Sequence, residues 1–347
     1  MRFRLLSHDL GIDLGTANVL IFEDGKGVVV REPSVVAVDK NTGRILQVGA
    51  AARNMLGRTP GNVVAMHPLK DGVISDHEMT VKMLQALFRR ASRSSLFTPK
   101  PRVVICVPSG VTEVEERTVI NAAIDAGARR VYLIEEPLAA ALGAGLDIRL
   151  PKGQMVVDIG AGTTDIAVLS MGGVAVSSSI KVAGDVMDEE IGKHVRRKRG
   201  VVIGQMTAED IKIQVGCVYP RQENVGISVK GRDAKTGMPR DLVLNSAEIF
   251  DVLRRPAKQI ADEVLSVLEQ TSPELVSDIA ENGIILTGAG SQLWGMDKLL
   301  TERTGIVCTV ADDADSCVAY GCGKSLAWIN HMQEGPINIA KRRMMRG

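Results

Sequence analysis

Apolar positions along this chain keep two rhythms, one of two residues and one of three to four. Residues 9–22 and 27–38 keep the first, with the turn Glu23-Asp24-Gly25-Lys26 between them, and predict strands. The stretch VVVREPSVVAV is rich in β-branched residues, and its Pro33 predicts an edge or a bend. From 76 to 92 the rhythm lengthens: Met79, Met83, Leu84 and Leu87 share one helical face. RVVICVP (102–108) is a continuous apolar run, as in a buried parallel strand. A helix over 112–127 follows, with Thr112 as N-cap, Glu115 three residues later and Gly127 as the stop. Then come a strand, VYLIEEP (131–137), and a small-residue helix, LAAALGAGL.

After Pro151 and Gly153 the opening pattern starts again. MVVDIGAGTTDIAVLS (155–170) predicts a hairpin, GVAVSSSIKV (173–182) a third strand, and Asp185 the start of a helix. Residues 224–244 alternate weakly around a polar hairpin tip, GRDAKTGMPR, and 246–271 predict a long helix. NGIILTGAGS (282–291) reads as an apolar strand entering a small-residue turn. A helix to Arg303, a short strand (GIVCTV) and a terminal helix (314–331) complete the chain. The pattern is two related βββ-then-α halves, starting near 9 and near 154. It predicts an α/β protein of two lobes with a cleft between them.

Composition narrows what such a cleft could hold. The chain has 347 residues, long enough for two domains or one bilobed unit. A formal net charge of +1 gives no whole-protein field for nucleic acid or membrane, and 3% aromatics argue against base-stacking platforms. The five cysteines (106, 217, 308, 317, 322) include no C-x-x-C pair, so no zinc site is expected of them, and an odd count suits a reducing cytosol. MRFRLLSHDL is too short and too charged for a signal peptide. No apolar run reaches the roughly 18 residues of a spanning helix.

The two hairpins carry the chemistry. GIDLGTANVLIF places Asp13 just before Gly15 and Thr16; the second copy places Asp158 just before Gly160, Gly162, Thr163 and Thr164. Glycine lets a ligand approach the backbone, successive N–H groups make an anion-binding concavity, and threonine hydroxyls add donors. Two carboxylates facing one cleft suit Mg²⁺, which takes oxygen ligands and keeps several waters. One such hairpin is an ordinary Asp/Gly turn; two in matched context point to a phosphate clamp. GIILTGAGS offers a third small-residue turn. It is not a dinucleotide fingerprint, because Leu293 stands where the third glycine belongs. Gly323-Lys324-Ser325 mimics the end of a P-loop, but Val318 occupies the first glycine position. The basic run Arg196-Arg197-Lys198-Arg199 reads as a solvated helix end before Gly200.

The sequence resembles the MreB family, bacterial actin homologues that include Mbl-type paralogues. The resemblance runs from about residue 9 to 331. It is carried by IDLGTAN, MLGRTPGN, KDGVISD, ICVPSG, LIEEPLAAALGAGL, MVVDIGAGTTDIAVLS, TAEDIK, SPELVSDI and ILTGAG. The hairpins alone indicate the wider actin, Hsp70 and sugar-kinase superfamily; MLGRTPGN and KDGVI are more specific. The resemblance implies an actin-like ATPase fold, two lobes of duplicated βββαβα type each with an inserted smaller subdomain. The implied bounds are 1–32, 75–145 and 315–347 for IA, 33–74 for IB, 146–181 and 245–314 for IIA, and 182–244 for IIB.

It also implies membrane-associated filaments that bind ATP/ADP and Mg²⁺, hydrolyse ATP slowly on polymerising, and direct cell-wall synthesis and rod shape. By position, Thr16, Ala17 and Asn18 form one phosphate loop and Gly160, Ala161, Gly162 and Thr163 the other. Asp13 and Asp158 organise Mg²⁺, largely through water. Glu209 and Lys212, on a helix opened by Thr207, hold ribose and adenine. Gly288, Ala289, Gly290 and Ser291 line the nucleotide from below. Glu136 and Thr163 position the attacking water, with Glu136 at the end of its strand and Glu135 pointing elsewhere.

The implied partners are further copies of the chain, the anionic inner face of the cytoplasmic membrane, and the cell-wall elongation machinery, with no nucleic acid. Leu96-Phe97, ringed by Arg89, Arg90, Arg93, Lys100 and Arg102, is the expected membrane contact; MRFRLL reads first as a frayed terminus, with a weak second anchor as the alternative. Three features depart from the family: Ala161 and Ala289 interrupt what are usually three consecutive glycines, and His67 replaces a usual arginine. A methyl at 161 or 289 is tolerable at negative φ and strained at positive φ. Other readings on the same fold are a chaperone ATPase, which predicts a further peptide-binding domain, a small-molecule kinase, which predicts larger insertions, and a scaffold that binds nucleotide without turnover.

Overall fold

The computed structural model describes residues 9–92 and 100–329. Two five-stranded sheets repeat one plan. In the first, Asp9–Leu14, Asn18–Glu23 and Gly27–Pro33 form an antiparallel meander, Arg102–Val107 pairs in parallel with the free side of Asp9–Leu14, and Arg130–Glu135 pairs in parallel beyond it. In the second, Gln154–Ile159, Thr164–Ser170 and Gly173–Ile180 form the meander, with Ile284–Thr287 and Cys308–Val310 added in the same order and sense. Asp13 and Asp158 are each the penultimate residue of the first strand. Duplication in the sequence is therefore duplication in space.

Smaller three-stranded sheets interrupt each plan. Val36–Asp39 pairs with Ile45–Val48 and Val63–Met66, beside a short helix Ala50–Arg53. Val201–Val202, Gly226–Asp233 and Pro239–Asn245 form the other. The predicted strand over 27–38 is two strands of different sheets. It breaks after Pro33 because Ser34 turns back on the first hairpin, its N–H donating to Ala17 O at 2.8 Å and its hydroxyl to Gly15 O at 2.6 Å.

The helix over 112–127 is Glu113–Asp125 with the full Thr112/Glu115 capping box. The 246–271 helix is Ser246–Glu269, followed by a separate helix, Pro273–Asn282, that the periodicity reading missed. The helix carrying Glu209 starts at Gln205, so Thr207 lies within it and does not open it. The basic run forms a π-helix, Val195–Arg199, ended by Gly200 in the left-handed region at φ 65°.

One apolar cluster joins the lobes. It draws Val104, Cys106 and Ile134 from the first sheet, Val156, Ala167 and Leu169 from the second, and the helices Glu136–Gly143 and Cys317–Ile329 between them. These helices cross at backbone contact. A Cβ on Gly143 would stand 1.7 Å from Cys317 O, and one on Gly321 1.8 Å from Ala139 O. A Cβ on Gly323 would strike the Phe22 ring at 2.2 Å, and one on Gly11 would meet Gly323 N at 2.5 Å. The glycine of the P-loop look-alike, Gly323, is a packing residue. Lys324 donates to Leu142 O at 2.7 Å, covering the last carbonyls of the neighbouring helix.

Gly321→Ala should destabilise the protein by about 2 kcal/mol or more, since a backbone carbonyl cannot move aside cheaply. Gly192→Ala, where a Cβ meets nothing within 4 Å, should be neutral or stabilising by up to about 1 kcal/mol. Urea unfolding of the two variants checks the contrast.

Candidate functional site

The two hairpin turns meet in the cleft. A Cβ on Gly162 would lie 2.6 Å from the Thr16 hydroxyl and 3.0 Å from Asp71 Cα. Between the turns lies the segment Asp71-Gly72, whose Gly72 N–H donates to Thr16 Oγ1 at 3.0 Å. Both residues have positive φ, 51° and 76°. Gly72 has no room for a side chain, because a Cβ would stand 2.7 Å from Pro108 and 3.1 Å from Thr163. KDG contributed to the sequence reading only as a family motif; its place over both turns is a structural finding.

A cavity of about 110 Å³ lies between the turns, lined by Asp13, Thr16, Ala17, Asn18, Glu136, Asp158, Gly160, Ala161, Gly162, Thr163, Gly288 and Ala289. Twelve of the anticipated site residues thus converge there. Glu209 lines a larger cavity, about 900 Å³, which shares Thr16, Ala17 and Asn18 and extends between the smaller sheets. Lys212, Gly290 and Ser291 line neither. The Lys212 ammonium donates to Gly184 O and Asp188 at 2.9 Å each. The buried Ser291 hydroxyl donates to Gly288 O at 2.7 Å. His67 lines the larger cavity.

Glu136 is the first residue of its helix rather than the last of the strand, which ends at Glu135. The strand stops there because Pro137 sets helical geometry at the following position. Glu135 lines neither cavity. Ala161 and Ala289 both avoid positive φ, so their methyls impose no backbone strain. The left-handed position in the third turn is taken by Gly288, at φ 78°. A Cβ there would stand 2.3 Å from Ile159 O, which presses that turn against the end of the second hairpin's first strand.

The electrostatics follow from burying acids together. Desolvation lifts Asp13 to about 7 against a lowering hydrogen bond from Cys106, whose Sγ lies 3.5 Å from Asp13 Oδ1. Desolvation likewise lifts Asp158 to about 7, although the Thr287 hydroxyl donates to it at 2.5 Å; Asp165 and Asp13 add to the rise. Glu136 rises well above the usual carboxylate range through burial, then through Asp165, Asp158 and Asp13. Asp165, 1% exposed, rises to about 6 by burial while its Oδ1 accepts from the Ser109 N–H at 2.8 Å. Asp165, Thr287 and Cys106 are members of the site that the motif reading passed over. The GTTD stretch was the available signal for Asp165; Thr287 and Cys106 carried none.

Ligand atoms of Asp13, Cys106 and Glu136 lie within 4.8 Å of one another. Arg31 also lines the cavity and lowers Asp13, but burial outweighs it, and acids crowded like this make a site that a divalent cation would relieve. With the backbone turns beside them, the arrangement can hold a cation-bound polyphosphate.

Leu96, Phe97 and MRFRLL lie outside the described residues. Of the basic residues around that pair, Arg90 is engaged by Glu32 and Arg102 by Asp9, so these two cations are already paired. No helix among the described residues is long and apolar enough to cross a membrane.

The MreB/Mbl protein family model matches residues 7–334. The chain is 50% identical over 322 residues to the cell shape-determining protein Mbl of Bacillus subtilis (strain 168), covering 93% of this chain and 96% of that one. It is 50% identical over 334 residues to the cell shape-determining protein MreB of Escherichia coli (strain K12), covering 95% and 96%. The solved structure of MreB 5 of Spiroplasma citri bound to AMPPNP superposes with a TM-score of 0.88 at 38% identity, covering 94% of this chain and 97% of that one. With a duplicated sheet plan, two facing hairpin turns and a match over nearly its whole length, the chain belongs to the MreB/Mbl family, with an actin-like fold.

Proposed function

We propose that this protein is a cytoskeletal ATPase that polymerises into membrane-associated filaments and directs cell-wall synthesis and rod cell shape. The observation that carries the reading is the approach of Gly162 to Thr16 with Asp71-Gly72 between them. It leaves one place where backbone N–H groups from both lobes address the same polyphosphate. The similar Spiroplasma protein binds AMPPNP, an ATP analogue, which supports nucleotide as the ligand. The two three-stranded sheets fall within 33–74 and 182–244, which supports reading these segments of the chain as the inserted subdomains.

In this reading Thr16, Ala17, Asn18 and Gly160 to Thr163 hold the phosphates, Gly288 to Ser291 form the floor, and Glu209 and Lys212 address ribose and base. Asp13 and Asp158 supply the oxygen ligands that suit Mg²⁺, directly or through water. Mg²⁺ bound there would offset the charge of the acids and of the polyphosphate. Hydrolysis joins a water oxygen to the γ-phosphorus as the bond to the β–γ bridging oxygen breaks, giving ADP and phosphate. The transferred group needs an aligned water more than a strong base. Glu136, on the first helical turn, and Thr163 both line the cavity, which supports the reading that they align that water. Ala161 and Ala289 avoid positive φ, which is compatible with turnover.

Polymerisation and membrane binding would be properties of the assembled chain. Each copy would contribute a weak lipid contact through Leu96 and Phe97, and a filament would sum them.

Purified protein should sediment as filaments, visible by electron microscopy, with Mg-ATP and not without nucleotide. Protein that stays soluble in every nucleotide state would overturn the cytoskeletal reading. Glu136→Ala should retain ATP binding and lower the rate of phosphate release by about tenfold or more; an unchanged rate removes Glu136 from the role. Replacing Leu96 and Phe97 together by Ser should abolish co-sedimentation with anionic liposomes, and retained binding refutes the contact.

A further inference from the structure

The larger cavity is crossed by one ion pair. Arg53, the last residue of the short helix Ala50–Arg53, donates to Glu209 Oε2 at 2.5 Å. The partners lie on opposite sides of the cleft, one beside each three-stranded sheet, and both line the cavity. Among the described residues it is the only ion pair that joins 33–74 to 182–244. At the cleft floor the two lobes meet where Gly162 approaches Thr16 and Asp71, two residues that the Gly72 N–H to Thr16 bond holds together on the first lobe. The cavity is therefore bounded below by backbone contact and spanned by two side chains.

The two closures differ in kind. The floor is built of glycines with no alternative position. The span is built of long side chains that are 36% and 31% exposed, so water and salt screen it and its worth is small. A pair of this kind yields to a competitor, and the anticipated role of Glu209 supplies one: ribose hydroxyls donating to the carboxylate would compete with the Arg53 N–H that its Oε2 accepts.

We propose that Arg53 sets nucleotide affinity by competing with the nucleotide for Glu209. The inference rests on the nucleotide reading of the cleft. In the empty protein the pair holds the two smaller sheets together across the cavity. Nucleotide entering the cleft takes the Glu209 carboxylate, and the Arg53 side chain is released to solvent. Removing Arg53 then removes a competitor rather than a ligand contact. The sign is opposite to that expected for a cation lining the site of an anionic ligand, and this distinguishes the two roles.

The test is stopped-flow and equilibrium binding of fluorescent Mg-ATP to the full-length protein. Wild type, Arg53→Gln and Arg53→Lys are compared at low and high salt, with thermal unfolding to confirm that each variant folds. Arg53→Gln should bind two- to fivefold more tightly than wild type, matching a pair worth up to about 1 kcal/mol. The gain should come from faster association at unchanged dissociation. It should shrink in high salt, and Arg53→Lys should stay near wild type. Weaker binding by Arg53→Gln makes Arg53 a direct nucleotide contact and overturns the proposal, as does identical binding by all three proteins. If wild type binds no nucleotide, the reading of the cleft itself fails, and the proposal with it.

Discussion

The architecture depends on two helices touching where side chains would have kept them apart. Gly143 lies against Cys317 O and Gly321 against Ala139 O, so the crossing is made of backbone. One helix follows the last strand of the first sheet, and its first residue is Glu136. The other packs on Gly11 and Phe22 of the first sheet, and its residues share a core with Val156, Ala167 and Leu169 of the second. Whatever fixes this crossing fixes the angle at which the two hairpin turns face each other. A glycine in a helix costs up to about 1 kcal/mol against alanine; here it is the condition for a close contact that joins the lobes.

That close approach has an electrostatic consequence. It brings Asp13, Glu136, Asp158 and Asp165 into one desolvated region, where burial raises all four and the neighbouring carboxylates raise Glu136 and Asp158 further. A fold selected for stability alone would not gather four acids there, and perturbed acids in a cleft are the mark of a functional site. The hydrogen bonds from Thr287 to Asp158 and from Ser109 to Asp165 orient two of them without neutralising them. Bound cation is the simplest compensation. The crossing, the facing turns and the crowded acids are thus one device.

Much of this was legible before any coordinates. The repeated apolar–Asp–Gly–Thr–apolar pattern announced both hairpins, because strand periodicity and turn chemistry are local properties. The Thr112/Glu115 capping box was legible for the same reason. Three kinds of feature were not. The helix Pro273–Asn282 was missed because a prolyl start and one amphipathic face hid between a long helix and a strand. The break after Pro33 depends on Ser34 reaching the first hairpin, a contact nineteen residues back that no local pattern reports. Cys106, Thr287 and Asp71 join the site only through packing between distant segments. Gly323 carried a false phosphate signal because a P-loop and a helix packed at close range both need absent side chains.

The central claim is that the facing turns and their acids form a Mg-nucleotide site. Thermal unfolding of the unpolymerised protein, titrated with ATP in excess Mg²⁺ and again with Mg²⁺ chelated, tests it most directly. A ligand that binds only the folded state stabilises it by about 2.7 kcal/mol at a hundred times its Kd. The account predicts that the melting temperature rises by several degrees with Mg-ATP and that chelation removes most of the rise. An equal rise with and without Mg²⁺, or no rise in either titration, would contradict it.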